Sequence, residues 1–383
     1  MKKSKQIPLS RALGFKARAF LTAKKAARAA ALFAVFWTLG TSLCSCGNSG
    51  QKTASLKIVN WNVQTFFDAN NDGIEYSNFV KSKKWNQDAY KERLQKLCKA
   101  INELDADLLV LEEIENQGVV YDISNALAGN NWNPAKVYRY SCFAKKKDSS
   151  IGCALLSRQE LKGMKVHSLD IQAEREKAPQ MRPLIEVDLL APKPLKIFVN
   201  HWKSKGGSSV GAKAGGARRS DTALWRRWQE GLLAKKIIDA QSANPKTAIV
   251  CAGDFNQDIS EFSIASAAPL FGLEEDSWQG QNAPPEKLGQ AALGNVELRS
   301  PYSGQKVLVY SPWLDFEGDL GSYNFRDKWE RIDHFFFCGD LNVSDFGPQT
   351  GEWSYEDGRP KPFKIYSLKG WSDHLPIACR VEY

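Results

Sequence analysis

The 383-residue sequence lacks the patterns that zinc-binding and membrane-spanning proteins require. Its eight cysteines include no Cys-x-x-Cys pair and no Cys/His spacing of the kind that holds zinc. The apolar run near the N-terminus, residues 29–43, is shorter than the ~20 residues that cross a bilayer comfortably. No internal repeat is visible either. What remains is a composition with 43% hydrophobic residues, which is ordinary for a globular protein with a sizeable core.

Acidic residues are absent from the first 46 positions, where nine lysines and arginines occur. These nine charges equal the whole formal excess of +9, so the rest of the chain is close to neutral. A near-neutral domain exerts little long-range attraction on polyanions. Any affinity for phosphate must therefore come from a few local cations.

The N-terminal segment predicts export. Basic residues precede the apolar run, and Leu43-Cys44-Ser45-Cys46-Gly47 resembles a bacterial lipobox with Cys46 as the lipidated residue. We expect a signal peptide over residues 1–45, a tether over 46–54, and a protein of the bacterial cell envelope that is anchored to the membrane through Cys46. An uncleaved anchor is the alternative, because the basic region is long. One disulfide among the six remaining cysteines is compatible with export, but no spacing selects the pair.

Residues 55–383 are predicted to form one monomeric domain. Strands and helices interleave, and many strand pairs are too close in sequence to be joined by crossover helices. The expected fold class is α/β, a sandwich of two mainly antiparallel sheets flanked by helices. Helices are predicted at 90–104, 120–128 and 218–240, and the main strands at 56–63, 107–116, 138–143, 151–157, 184–189, 195–200, 248–252, 331–338 and 377–381. Residues 277–322 have weak periodicity and predict an insertion or long loop.

One loop has the composition of a cation site. Asp68-Ala69-Asn70-Asn71-Asp72-Gly73 is similar to the first half of a calcium-binding loop. However, Phe79 occupies the position where such a loop carries its bidentate glutamate. We therefore interpret the segment as a surface loop.

Polar side chains stand at the ends of the predicted strands. They are Asn62, Glu113, His201, Asp254 with Asn256, Asp333, and the pair Asp373-His374. Each one alone is compatible with a cap or a turn. Asp333 fits that explanation least, because it shares a face with Phe335 inside a very apolar strand and a buried charge needs a partner. His334, on the opposite face, and His167 are predicted to be structural.

The order of the surrounding motifs resembles the endonuclease/exonuclease/phosphatase superfamily, the group of pancreatic deoxyribonuclease, the apurinic endonucleases, bacterial sphingomyelinases and inositol polyphosphate 5-phosphatases. The motifs are Trp-Asn at 61–62, Leu-Glu-Glu-Ile-Glu-Asn at 111–116, Asn-His-Trp-Lys-Ser-Lys at 200–205, Gly-Asp-Phe-Asn at 253–256, Arg-Ile-Asp-His at 331–334 and Ser-Asp-His-Leu-Pro-Ile at 372–377. The fourth and last motifs, in this order, are the most specific. The resemblance implies a four-layered α/β sandwich, and the third and fifth motifs are similar to those of exported bacterial nucleases.

The resemblance also implies a metal site. Glu113 would be the principal ligand, Asn62 would support the metal or the phosphate, and Asp373 would reach the same metal or a second one. Mg²⁺ is the expected cofactor, with Mn²⁺ or Ca²⁺ as alternatives, because Mg²⁺ needs only one or two carboxylates beside the substrate phosphate. Glu112 stands where the family often has Gln, so this chain carries an additional acid there.

The remaining roles follow from the same resemblance. Asp333 would pair with His374, which then activates water or holds the scissile phosphate. Asp254 and Asn256 would orient the nucleophile and a phosphate oxygen, and His201 would act as general acid on the leaving group. Three cations are assigned to phosphates, with a solvated loop as the alternative for the two lysines: Arg182, Lys203 and Lys205.

We therefore predict a divalent-metal-dependent phosphodiester hydrolase, an exported endonuclease whose substrate is DNA or RNA. The rival enzyme is a phosphatase or sphingomyelinase-type phosphodiesterase that acts on a small or lipid phosphate. Trp313 and Phe316 would then supply an exposed aromatic hairpin, although core packing explains them equally well. The rival of another class is a surface lipoprotein without catalysis.

Overall fold

The structure, a computed structural model, describes residues 55–130, 134–168, 181–190, 193–206, 219–269, 291, 293–300 and 304–383. All of these belong to one compact unit that spans residues 52–383. The predicted signal peptide, the tether and Cys46 lie outside the described residues, and export stays a prediction.

The described part contains four α-helices and sixteen strands. The helices are α1 Ser77–Val80, α2 Gln87–Leu104, α3 Gln117–Asn130 and α4 Arg219–Ala243. The strands are β1 Ser55–Phe66, β2 Leu108–Ile114, β3 Tyr140–Ala144, β4 Gly152–Ser157, β5 Leu161–His167, β6 Leu184–Leu189, β7 Leu195–His201, β8 Ala248–Asp254, β9 Ser263–Pro269, β10 Leu293–Arg299, β11 Lys306–Val309, β12 Tyr323–Phe325, β13 Lys328–Glu330, β14 Asp333–Cys338, β15 Asn342–Pro348 and β16 Ile377–Glu382.

Two large sheets form the body of the domain. The first has the strand order β15-β16-β1-β2-β4-β3, and the second has the order β14-β8-β7-β6-β5. Most neighbours are antiparallel, but β1 and β2 are parallel, as are β7 and β8. The carboxyl ends of these parallel pairs deliver polar side chains to the edges of both sheets.

The alternation of side chains in β1 explains the layers. Leu56 and Ile58 point into a core shared with the second sheet, whereas Val59 and Trp61 point into a core shared with α2 and α3. The second sheet carries α4 as well, since Leu233 packs into the shared core. The predicted α/β sandwich is confirmed, with two mainly antiparallel sheets between helical layers.

The predicted loop at 277–322 was wrong for its described part. Strands β10 and β11 lie within this range and form a three-stranded sheet with β9. Their apolar residues, such as Val296 and Val309, are fully buried in the shared core. Both strands are short and lie among glycines and prolines. The alternation of apolar and polar residues that predicts a strand was therefore not evident in the sequence.

Other sequence interpretations concern single residue types. The cysteines of the described part, Cys98, Cys142, Cys153, Cys251, Cys338 and Cys379, are all free and buried.

Trp313 is completely buried and Phe316 packs against the same core, so these rings are core residues and form no exposed hairpin. None of the described helices is both long and apolar enough to cross a membrane.

Candidate active site

The predicted polar residues meet where the two large sheets end. In the second sheet, Asp254 at the carboxyl end of β8 is the register partner of His201 on β7 and of Asp333 on β14. Because β14 is antiparallel to β8, the first residue of β14 reaches the same edge. In the first sheet, Asn62 on β1 is the partner of Glu112 on β2. The sheet registers therefore bring together residues that are far apart in sequence.

Asp333 and His374 form a buried hydrogen-bonded pair. The Oδ2 atom of Asp333 lies 2.8 Å from Nδ1 of His374, and Asp333 has no exposed surface. Burial alone would lower the pKa of His374, but the charge and hydrogen bond of Asp333 raise it well above its usual value. The Oγ atom of Ser322 accepts a hydrogen bond from the Asp333 backbone N–H, at 3.1 Å, which helps to fix the carboxylate.

Backbone contacts fix the other side of the histidine. The Oγ atom of Ser372 accepts a hydrogen bond from the His374 N–H at 3.0 Å, and the Trp61 indole donates to the His374 carbonyl oxygen at 3.0 Å. The ring of Tyr323, on β12, lies 4.8 Å from the imidazole between ring centroids. With Nδ1 held by Asp333, the nitrogen that remains for a ligand is Nε2.

Asp254 lies at the centre of the site and is almost fully buried. Its Oδ2 atom accepts a hydrogen bond from the side-chain amide of Asn62 at 3.0 Å, and Oδ1 accepts one from the Asn256 backbone N–H at 2.8 Å. Burial, and then the charge of Asp333, raise the pKa of Asp254 to about 7. Asn256 itself has a positive φ of 49° and donates to the Trp202 carbonyl oxygen at 3.2 Å.

Glu113 is placed by an irregularity in β2. Its φ is +65°, and the pairing of β2 shifts register on both sides at this residue. A bulge re-aims a side chain, and here it turns the glutamate out of the helix-facing core toward the site. The Thr65 N–H donates to Oε2 at 2.6 Å, and the Asn62 amide approaches Oε1 at 3.4 Å. The glutamate side chain stays 18% exposed, which leaves it accessible to a ligand.

His201 lies on the floor of the site with 2% exposure. Its Nε2 atom is 3.5 Å from Oδ2 of Asp254 and 4.0 Å from Oε1 of Glu113. Burial, and then the charge of Arg182, lower its pKa well below the usual value. Arg182 lines the same small pocket as His201 and donates to the Trp202 carbonyl oxygen at 2.9 Å.

The two lysines of the 200–205 motif differ. Lys203 is half-buried, and burial followed by the charges of Arg182 and Arg226 lowers its pKa. Lys205 is held by Glu261 at 2.5 Å and by Glu330 at 3.4 Å. These two ion pairs compete with a phosphate, so we leave Lys205 out of the candidate phosphate-binding set.

Comparison with known proteins shows the family. The model of the Endonuclease/Exonuclease/phosphatase family matches residues 57–282, which is more than half of the chain. The protein belongs to this family.

Solved structures of other proteins are similar to this chain. Truncated TDP2 from Caenorhabditis elegans has a TM-score of 0.50 and 13% identity, and the match covers 86% of this chain and 98% of that one. Two proteins from Bacteroides thetaiotaomicron each have a TM-score of 0.47 and 14% identity. They are a family protein of structural-genomics origin, with 87% of this chain and 99% of that chain covered, and a mannosyl-6-phosphatase, with 86% and 100% covered. No curated protein matches the sequence.

Membership of the family makes the protein a hydrolase of phosphate esters, and enzymes of this family generally use divalent metals. The residues around Glu113 fit such an ion. Burial raises the pKa of Asp373 above its usual value. The charge of His374 opposes this shift, and the charge of Glu113 adds to it. In the described part of the chain, no lysine or arginine forms an ion pair with either carboxylate. Glu113 and Asp373 are near enough for their charges to interact, and two carboxylates supply the hard oxygen ligands that Mg²⁺ prefers.

Asn62 lies between two acids of the site, and its role as a support for the metal or the phosphate stays a prediction. Its Nδ2 points to Asp254 and Glu113, and its Oδ1 accepts a hydrogen bond from the Gln64 backbone N–H at 3.0 Å. Both polar ends of the amide make hydrogen bonds, and Oδ1 keeps a second lone pair. In this arrangement Asn62 orients the two acids.

The additional acid of this family member, Glu112, is fully buried, and neither of its carboxyl oxygens has a described hydrogen-bond partner. Burial, and then the charges of Asp333 and Asp254, raise its pKa well above the usual value. A carboxyl group that stays protonated has the charge of the Gln that the family often carries there. The raised pKa favours this neutral form, which would keep the charge of the site close to that of the family pattern.

Sequence analysis missed Arg93, which supports the site from helix α2. This buried arginine donates to three successive carbonyl oxygens, those of Thr65 at 2.9 Å, Val63 at 3.1 Å and Gln64 at 2.6 Å. Gln64 and Thr65 both have positive φ, so the arginine stabilises the strained turn that presents the Thr65 N–H to Glu113. The sequence feature that could have revealed its role is an arginine among the apolar positions of α2.

Proposed function

We propose that the protein is a divalent-metal-dependent nuclease that hydrolyses phosphodiester bonds of DNA or RNA. The observation that carries the hydrolase part is the buried Asp333–His374 pair beside Asp254 and Glu113. A fold that serves only as a binding module has no physical need for this buried, charged group, because burial of charge is costly without a function. The phosphate ester is the substrate class that the family implies.

The rim of the site supports a nucleic acid over a small phosphate. Tyr323 and Phe325 lie on the β12–β13 hairpin with nearly parallel rings, 6.4 Å apart between centroids at 11°. Phe325 is 49% exposed, and the guanidinium of Arg326 lies 5.0 Å from its ring. Exposed aromatic rings beside a cation are the platform on which unpaired bases stack.

We assign the catalytic roles from hydrogen-bond geometry. His374, fixed through Nδ1, presents Nε2 to a non-bridging oxygen of the scissile phosphate. Asp254 retains a free lone pair on each oxygen and accepts the proton of the attacking water. The water oxygen then forms the new bond to phosphorus, and the bond between phosphorus and the leaving oxygen breaks. A bound Mg²⁺, held by Glu113 and Asp373, would supply charge neutralisation for the phosphate and the leaving alkoxide.

Arg182, Lys203 and Asn256 complete the proposal as contacts to the phosphate groups. Arg182 is the strongest of these, since it lines the pocket of His201. The burial of His201 and its lowered pKa favour a neutral imidazole that donates one hydrogen bond to the leaving oxygen. The role of His201 as general acid, which needs a proton to give away, stays a prediction.

We also propose that the enzyme acts as a monomer outside the cytoplasm, anchored by a lipid on Cys46. The support is the basic and apolar composition of residues 1–43 and the small residues around Cys46. Labelling cells with a radioactive fatty acid, with Cys46→Ser as the control, tests the anchor. Activity of intact cells on added DNA tests on which side of the envelope the domain lies.

Activity of the purified protein on defined substrates tests the nuclease proposal. Plasmid DNA, RNA, a small phosphomonoester and sphingomyelin are compared with and without chelator. We expect cleavage of nucleic acid that chelator abolishes. Activity confined to the phosphomonoester or to sphingomyelin would replace the nuclease by the corresponding rival, and cleavage that resists the chelator would remove the metal from the mechanism.

A further inference from the structure

A second group of acids lies outside the active site, where the loop after β1 meets the end of β2. The Asp68 N–H donates to Oε2 of Glu115 at 2.5 Å, and the Glu115 N–H donates to the Phe66 carbonyl oxygen at 3.1 Å. The Asn116 side-chain amide donates to Oδ2 of Asp68 at 3.0 Å. The loop and the strand end are therefore tied together by three hydrogen bonds.

Three carboxylates converge at this junction. Asp72, Glu75 and Glu115 each offer a carboxylate oxygen, and these oxygens lie within 4.8 Å of one another. In the part of the chain that the structure describes, none of the three forms an ion pair with a lysine or arginine. Lys145 is near enough for its charge to act on Glu115, but it makes no ion pair with it. Three neighbouring carboxylates without a cationic partner repel one another.

Glu115 is the decisive member of the group. It has no exposed surface, and its Oε1 atom accepts no hydrogen bond from any described residue. A buried carboxylate oxygen without a partner loses its hydration and gains nothing in return, which is costly. Because Glu115 belongs to the cluster, a cation bound by Asp72 and Glu75 would supply the missing partner.

The loop is already folded into a shape that suits a cation. Glu75 accepts backbone hydrogen bonds from Asp72 and from Gly73, the latter at 2.9 Å. Gly73 has a φ of +82°, so the tight turn here requires glycine. Glu75 and Glu115 thus take the place of the glutamate that the sequence comparison with a calcium-binding loop expected at Phe79. The ligands come from two separate segments of the chain.

We propose that Asp72, Glu75 and Glu115 bind a divalent cation, Ca²⁺ in preference to Mg²⁺, which clamps the loop to the end of β2. Ca²⁺ accepts six to eight oxygens at about 2.3–2.6 Å in flexible geometry, so oxygens that lie within 4.8 Å of one another can bind one ion. Mg²⁺ demands a smaller and more regular octahedron. Asp72 is exposed, which leaves room for waters to complete the coordination.

The ion would steady the active site from behind. Glu115 follows Glu113 by two residues, and the end of β1, which leads into this loop, supplies the Thr65 N–H that holds Glu113. The inference concerns binding and stability, and does not depend on the substrate of the enzyme. It stands even if the protein proves to be a phosphatase.

Titration of the chelator-treated full-length protein with Ca²⁺ tests the site, in the presence of enough Mg²⁺ to fill the active site. Isothermal calorimetry counts the ions. Tb³⁺ offers a local probe, because the Trp85 indole donates to the Asp68 carbonyl oxygen at 2.7 Å and can sensitise Tb³⁺ bound nearby. We expect one Ca²⁺ per chain, a higher midpoint of thermal unfolding with Ca²⁺, and Tb³⁺ luminescence that Ca²⁺ quenches by displacement.

Four variants locate the ion. Glu75→Gln and Glu115→Gln should weaken Ca²⁺ binding at least tenfold and abolish the thermal shift. Glu113→Gln, in the active site, should keep the Ca²⁺ site, and so should Glu103→Gln, which changes an exposed acid on α2. Glu75 is partly exposed, so Glu75→Gln stays folded and informative even if Glu115→Gln does not. Absence of Ca²⁺ binding in the wild type, or unchanged binding in Glu75→Gln, would overturn the proposal.

Discussion

Asp333 and His374 are 41 positions apart, yet Oδ2 of the aspartate lies 2.8 Å from Nδ1 of the histidine. Asp254 lies close to the pair as well, but among the described residues His374 forms its ion pair with Asp333. The aspartate sits at the start of a strand in the second sheet, whereas the histidine precedes the last strand of the first sheet. The contact therefore joins the two sheets at the candidate active site.

Asp333→Asn should lower kcat by about 10²–10⁴-fold, because the amide holds His374 in a different tautomer and without its charge. His374→Ala should cost at least as much. His167→Gln, which changes a histidine outside the site, is the matched control. Steady-state kinetics on single-stranded DNA, with circular dichroism to confirm folding, measure the effects. An Asp333→Asn protein with wild-type kcat would separate this pair from the chemistry.

Which residues gather at the site was largely predictable from the sequence. Apolar runs with a period of two predicted the strands, and polar residues at their ends marked the edge where the sheets meet. Asn62, His201, Asp254 and Asp333 lie there because strand registers are set by the same apolar pattern. The structural role of His334 is confirmed too, since its Nε2 lies 2.8 Å from the Gln257 carbonyl oxygen in an aromatic core.

Backbone irregularities and long-range pairings were not predictable in the same way. The bulge at Glu113 leaves no trace in the order of apolar residues, because its cause is a positive φ at a residue that is not glycine. The ion pairs of Lys205 with Glu261 and Glu330 join segments whose proximity depends on the completed fold. The carboxylate cluster around Glu115 was hidden for the same reason.

Glu113→Gln should raise the Mg²⁺ concentration needed for half-maximal activity by at least about tenfold, because even changes around a ligand cost that much. Chelator should abolish wild-type activity, and added Mg²⁺ should restore it. Asp373→Asn should show a smaller shift in the same direction. Metal titrations of the initial rate measure this. Equal Mg²⁺ requirements in the wild type and in Glu113→Gln would move the metal away from Glu113.

Phe325→Ala should weaken binding of single-stranded DNA and leave a small phosphomonoester unaffected. One base stacked on an aromatic ring contributes about 1–3 kcal/mol, so KM should rise roughly 5- to 150-fold with kcat nearly unchanged. Because the Phe325 ring is exposed, its removal should not destabilise the fold. Tyr121→Ala, an exposed tyrosine on α3, is the control. The platform is refuted if both variants bind DNA as the wild type does.

Arg93→Lys should destabilise the fold by roughly 1–3 kcal/mol, because an ammonium cannot reach the three carbonyl oxygens that the guanidinium now satisfies. The turn at Gln64 and Thr65 should loosen, and with it the Thr65 N–H that holds Glu113. We therefore expect a weaker Mg²⁺ response in addition to the lower unfolding free energy. Urea denaturation and metal titration check the two effects separately. A purely structural role would change only the first.

Glu186 should make the stability of the second sheet depend on pH. Burial by itself would raise its pKa, but the hydrogen bonds and charges of Lys196, His167 and Lys165 lower it to about 2 from the ordinary 4.5. Asp188 lies near this group as well, because Lys196 forms an ion pair with both Glu186 and Asp188. Because the pKa is lower in the folded protein, the stabilisation is fully present above about pH 4.5. It is lost as the pH falls through the range from 4.5 toward 2.

Glu186→Gln should therefore lower the free energy of unfolding by roughly 1–3 kcal/mol at pH 7, the size of a hydrogen bond to a charged group. The difference between wild type and variant should shrink as the pH falls from about 4.5 to about 2, because both side chains are then neutral. Urea denaturation at a series of pH values measures this difference in unfolding free energy. The titration of the other acids affects both proteins equally and so does not contribute to it. A gap that stays constant down to pH 2 would mean that packing, and not the carboxylate charge, stabilises this part of the sheet.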